Sequence, residues 1–82
     1  MIKIHNGVLQ YVDNNSGHYK PTRQHLHAMM TIISNEGINL AAVTVVVRQP
    51  AIPGFIDEHT LNAANFVANV NLVDPNPNRV PA

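Results

Sequence analysis

The chain has no cysteine, few charges and no long apolar run. Without cysteine, neither a disulfide nor a thiolate metal site can form, and the redox state of the compartment leaves no mark on the sequence. Five basic and five acidic side chains make up 12% of the residues, about half the usual charged share. The formal net charge is zero, which argues against general nucleic-acid binding, because that needs a basic surface to displace counterions. No stretch approaches the roughly 18 apolar residues of a membrane span. The charged-then-apolar order of a secretory signal is also missing, since Lys3, His5 and Asn6 interrupt the N-terminus. The expectation is an intracellular chain, or one carried within an assembly, with no cofactor and no membrane contact.

What is present fits one small domain. Eighty-two residues bury a thin core, and such a fold is marginally stable unless a partner adds to it. The apolar fraction of 45% is ordinary for a folded protein. A weakly charged surface near neutrality resists self-association poorly. Small size and low charge together favour a protein partner or a homo-oligomer. The competing reading is a monomer kept soluble by its many asparagines.

Local patterns give an element order. Ile2, Ile4, Val8, Tyr11 and Val12 flank Asn6-Gly7, and Asn-Gly between alternating apolar residues signals a hairpin, because a type I′ turn needs positive φ at both positions. Strands are expected near 2–5 and 8–12, followed by a turn-rich loop over 13–17. Thr22 is the N-cap candidate of a helix over 22–36, with Pro21 preventing an earlier start. Leu26, Met29, Met30 and Ile33 lie on one helical face, and Gly37 suits the left-handed stop. Ala41 to Val47 is a β-branched run suited to a strand buried on both faces, either central or covered by another chain. Strand, helix, strand then forms a β-α-β crossover.

Beyond it, residues 49–54 form a linker with two prolines. Asp57 and Glu58 look like the start of a second helix over 57–70, with Ile56 and Leu61 as a hydrophobic staple and Ala63, Phe66, Val67 and Val70 as its apolar face. Asn62, Asn65 and Asn69 are poor helix formers there. With three prolines among residues 75–81, the tail is expected to be an extended arm without regular structure. The domain is thus placed at 1–72 and the Pro/Asn-rich arm at 73–82. The fold class is α+β, β-β-α-β-α, with a short mixed three-stranded sheet and two helices mainly on one face.

Ser16-Gly17-His18-Tyr19-Lys20-Pro21 is the most informative stretch. It gathers polar and basic groups where the first helix begins, and a helix start exposes unpaired N–H groups and a partial positive charge. Lys20 and Arg23 oppose the dipole there, with His25 close by, and a bound anion would offset that cost. Ser16, Gly17, His18, Tyr19, Lys20 and Arg23 are therefore the candidate ligand-binding residues for a small anion such as phosphate. The plainer account leaves the charges solvated, Tyr19 packed on the hairpin and Gly17 a positive-φ turn residue.

The five histidines do not read as a metal site. His25 and His27 point in opposing directions on a helix, where chelation needs i, i+4 spacing, and His5, His18 and His59 are isolated. Surface or capping roles would make stability or assembly sensitive to mild acid. Catalysis has one weak candidate, His18 as a general base, with Ser16 or Tyr19 taking part. No nucleophile elbow, phosphate-binding loop or paired-carboxylate pattern occurs, which leans away from an enzyme.

One likeness can be drawn. Asn6-Gly7-Val8-Leu9, then Ser16-Gly17-His18-Tyr19-Lys20-Pro21-Thr22, then Gly37-Ile38-Asn39-Leu40 with Val43-Thr44-Val45, resembles the NG-x-L … SGHY-x-P … G-[VI]-[DN]-L-x-x-V region of plant calmodulin-binding proteins with an IQ motif, and of some bacterial secreted or toxin-like proteins. The likeness covers about residues 6 to 47. In those larger proteins the region is similar to the closing half of a domain, usually after an "HSSFLAGG"-like segment. Neither that segment nor an IQ motif occurs in this sequence, so calmodulin binding does not carry over. The resemblance implies that Ser16, Gly17, His18, Tyr19 and Pro21 form a shared structural or binding corner.

The leading expectation is a non-enzymatic interaction or structural subunit. It would use an exposed sheet edge, the valine strand and the tail to join copies of itself or a larger host assembly, such as a viral or secretion particle. The alternatives are an anion-binding module at Ser16–Arg23, and a truncated relative of a secreted toxin domain with His18 catalytic.

Overall fold

The structure, a computed structural model, describes residues 2–14 and 22–82. In chain order it contains β1 (Ile2–His5), β2 (Val8–Asp13), α1 (Arg23–Asn35), β3 (Thr44–Pro50), β4 (Phe55–Asn62), α2 (Ala63–Ala68) and β5 (Asn78–Pro81). The strands form one mixed sheet in the order β1-β2-β3-β4-β5. The α+β class stands, but the sheet has five strands rather than three.

The N-terminal half follows local chemistry. Asn6 and Gly7 both take positive φ, 50° and 75°, as a type I′ hairpin requires. β1 and β2 pair antiparallel, with a register shift between Lys3 and Ile4. The Thr22 side chain caps α1 by accepting from the His25 N–H at 3.2 Å. Gly37, at φ 89°, ends the helix. β2 then pairs in parallel with β3, Val12 opposite Val45.

The core lies on one face of this sheet. Register places Val12, Val45 and Leu61 in one row across β2, β3 and β4. Leu26 and Met30 of α1 and Phe66 of α2 join that row in one buried cluster, so both helices cover the same side. Phe66 is fully buried; truncating a buried aromatic of this kind costs about 3–5 kcal/mol. The valine run is central: Val45, Val46 and Val47 are all buried within the chain itself. Its strand spans 44–50 rather than starting at Ala41, since Ala41 and Ala42 form a turn.

Two expectations for the C-terminal half are corrected. The helix placed at 57–70 is a strand followed by a short helix. Pro53-Gly54 is a turn, with Gly54 at φ 87° and the Phe55 N–H donating to the Ile52 carbonyl at 3.0 Å, the arrangement that Pro at i+1 and Gly at i+2 favour. That turn folds the chain back antiparallel, Pro50 opposite Ile56 and Thr44 opposite Asn62. Along β4 burial alternates, with His59 and Leu61 buried and Thr60 and Asn62 exposed, the period of a strand. Asp57 and Glu58 therefore cap nothing, and Ile56 and Leu61 form no staple. The N-cap is Asn62, whose side chain accepts from the Asn65 N–H at 3.1 Å. The second correction concerns the tail, where residues 78–81 form β5, paired antiparallel with β4 from Phe55↔Pro81 to Glu58↔Asn78.

Candidate functional site

Of the six residues proposed to bind an anion, Ser16, Gly17, His18, Tyr19 and Lys20 lie outside the described residues, as does Pro21. Arg23 is described, and its guanidinium is committed within the fold. Nη1 donates to the carbonyls of Val70 at 3.1 Å and Leu72 at 2.5 Å. Nε and Nη2 both donate to Gln49 Oε1, at 3.3 and 3.2 Å. The group also sits 5.9 Å from the Phe66 ring centroid, within cation–π range. Burial holds its pKa below the ordinary arginine value. Arg23 thus ties the first turn of α1 to β3 and to the segment after α2.

His59 is the second anchor of that segment. It is 6% exposed, and its Nδ1 accepts the Asp74 N–H at 3.1 Å. A backbone N–H only donates, so the neutral ring carries its hydrogen on Nε2. Nε2 lies 3.4 Å from Gln49 Nε2; both are donors in this arrangement, so the contact adds no hydrogen bond. The Asp74 carboxylate accepts from the Thr60 and Asn76 N–H groups. His27 bridges the helices, its Nε2 donating to the Val67 carbonyl at 3.0 Å and its ring meeting Phe66 edge-on at 5.4 Å. His25 and His5 are exposed. Among the described residues, no three histidine or carboxylate side chains group as metal ligands.

A cavity of about 460 Å³ lies at the ends of β2 and β3, beside the start of α1. Its polar lining is Asn14, Thr22, Arg23, Gln24, Arg48 and Gln49. Open sheets with parallel strands commonly bind ligands beyond the carboxyl ends of those strands. Asn14 builds the wall. Its side-chain amide donates to the Arg48 carbonyl at 2.9 Å and accepts the Arg48 N–H at 2.8 Å, extending the β2–β3 pairing one step past Asp13. Arg48 is itself neutralised. Its Nε donates to Glu58 Oε2 at 2.6 Å, and Nη1 lies 3.2 Å from Asp13 Oδ2. Burial alone would lower the Arg48 pKa; the bonds to Asp13 and Glu58 outweigh it and raise the net value. The cavity can hold a small polar molecule, but both arginines in its wall already have partners.

The sheet face away from the helices carries a polar row across all five strands. Lys3 Nζ stands 5.0 Å over the Tyr11 ring. The Tyr11 hydroxyl donates to Asp13 at 2.8 Å, Arg48 links Asp13 to Glu58, and Asn78 donates to Glu58 at 3.0 Å. Burial and then the Asp13 bond raise the Tyr11 pKa. Sequence reading missed this row because the partners are far apart in the chain. One signal would have found part of it: taken as a hairpin turn, Pro53-Gly54 sets Arg48 opposite Glu58 and Gln49 opposite Asp57.

Among the exposed apolar side chains, which also include Ile32, Ile52, Phe55 and Val73, those of β1 lie on a sheet edge. Every residue of β1 is exposed, with Ile2 at 53% and Ile4 at 65%, and Val8 across the turn at 56%. β1 is an edge of the sheet. No helix of the described residues is long and apolar enough to cross a membrane. No protein-family profile, curated protein or solved structure matches the chain.

Proposed function

We propose that the chain is a non-enzymatic interaction or structural subunit that docks through its N-terminal hairpin. The observation that carries this reading is β1: a sheet edge, exposed throughout, bearing Ile2 and Ile4 on one face. Exposed edges template pairing with another strand, and strand addition supplies main-chain hydrogen bonds while side-chain pockets give specificity. Of the other expected contact surfaces, the valine strand is the central β3, and part of the tail is β5, the opposite edge of the sheet. Native mass spectrometry of the chain isolated from its own source tests the reading. A complex heavier than the 9.0 kDa chain is expected, with β1 amides protected in it; recovery only as the free chain contradicts it.

A second reading, a small-anion module beside the start of α1, is favoured by the 460 Å³ cavity. Phosphate or a nucleotide should then raise the melting temperature, and Lys20→Ala with Arg23→Ala should abolish the rise. No shift with any common anion removes this reading.

A further inference from the structure

Resting on the interaction-subunit reading, we infer that the partner of β1 is β1 of a second copy, paired antiparallel about a two-fold axis at Ile4. The two sheets then run on as one. The reason is an inequality between the sheet's two edges. Natural edges are guarded by charge, proline, shortness or covering. At β5, Pro81 has no N–H to donate, Pro77 precedes the strand, and Arg79 is clamped on Asp57 through two bonds of 2.9 and 3.2 Å.

Among the described residues β1, as short as β5 at four residues, has neither a proline nor a side-chain clamp from a distant element. Its one charged side chain, Lys3, is drawn onto the Tyr11 ring instead of standing at the edge. Its register irregularity falls on β2: Lys3 pairs with Tyr11 and Ile4 with Leu9, skipping Gln10, so β1 keeps an unbroken two-residue period. A head-to-tail β1–β5 contact, which would propagate into a filament, meets the guarded edge. The isologous β1–β1 contact is self-complementary and closes.

Side chains select the register. Centred on Ile4, the pairing sets Ile4 opposite Ile4 of the other copy, and Lys3 opposite His5. Centred on Lys3, it would set two lysines face to face, which is unfavourable. With zero net charge, whole copies do not repel one another. That register pairs residues 3–5 of each copy, a contact of roughly 10 Å, below the usual size of specific interfaces, so the dimer exchanges with monomer at a dissociation constant on the order of micromolar or weaker.

Sedimentation equilibrium of the isolated chain across the micromolar range is the first test. It should fit a monomer–dimer equilibrium, between 9.0 kDa and twice that mass. Ile4→Lys should weaken association by about tenfold or more, with an unchanged circular-dichroism spectrum, while Val80→Lys on β5 should leave it as it is. If Ile4→Lys fails to fold, cross-linking decides. The chain has no cysteine, so Ile4→Cys should form a disulfide-linked dimer on mild oxidation and Ile2→Cys should not. Association that survives Ile4→Lys, faster cross-linking through Ile2→Cys, or an open-ended series of sizes each overturns the inference. A monomer at every concentration also overturns it; recovery of a heteromeric native complex would then leave the broader interaction reading standing, and a free chain would end both.

Discussion

The two edges of the sheet are built differently. β5 is held by side chains from elsewhere in the fold: Arg79 bonds Asp57, Asn78 bonds Glu58, and the Ala82 N–H reaches the Gly54 carbonyl at 2.9 Å. The segment leading to it is clasped by Arg23 from α1 and His59 from β4. Among the described residues, β1 is held by its ladder to β2, the Lys3–Tyr11 contact and a 3.3 Å side-chain contact between His5 and the adjacent Asn6. Polar anchors compensate β5 for its prolines, whereas β1 leaves isoleucine in solvent. On the proposed reading, the sheet is extended at its exposed edge rather than at its fastened one.

The strongest way to break this contrast is to cut the clasp. Arg23→Met leaves the Val70 and Leu72 carbonyls without their donor. Charge-assisted bonds of this kind are worth about 1.5–3 kcal/mol, so unfolding in urea should show a loss of about 2–3 kcal/mol. Amide exchange should rise through β5 before it rises in β1 and β2; a uniform rise would show that Arg23 serves the core in general.

A smaller effect is expected at the second anchor. His59→Leu preserves apolar packing but removes the acceptor of the Asp74 N–H, at a cost of about 1–3 kcal/mol, read from the same urea curves. His59→Asn, which keeps a side-chain acceptor, should recover part of the loss. Equal stability of His59→Leu and the parent would mean that Asp74 finds water instead.

Acid gives the mildest test. The hydrogen bond from Arg79 holds the Asp57 carboxyl below its ordinary value, and the same bond raises the Arg79 pKa. A depressed carboxyl adds stability above its unfolded pKa, and the gain disappears as pH falls through the folded value. Protection at Asn78–Val80, relative to the intrinsic exchange rate at each pH, should therefore fall below about pH 4, and Asp57→Asn should remove that dependence. β1 carries no carboxylate, so its amides should not follow the same curve.

Much of the N-terminal half could be read from the sequence because its signals are local. Asn6-Gly7 dictates a turn, Thr22 and Gly37 bound a helix, and Leu26, Met29, Met30 and Ile33 mark its inner face. The valine run calls for burial on both sides, by a central place or by another chain, and the fold supplies it within the chain as the central β3. The C-terminal half misleads because two patterns overlap. Asp57-Glu58 before Leu61 imitates a helix start, while the deciding residues are the Pro53-Gly54 pair, which impose a hairpin. Once β4 forms, its partner β5 can tolerate prolines, since an edge strand needs fewer N–H donors. The site was less legible still. Asn14, Asp13, Arg48 and Glu58 meet only through strand register, and Arg23 and His59 owe their roles to a segment more than ten residues away along the chain. The residues that first drew attention, Ser16 to Lys20, lie outside the described structure.

The unequal edges are probed most directly by amide hydrogen exchange as a function of protein concentration. The account predicts that amides of Ile2–His5 slow as concentration rises through the micromolar range, while those of Asn78–Val80 stay constant. Protection that grows equally at both edges, or at neither, would contradict it.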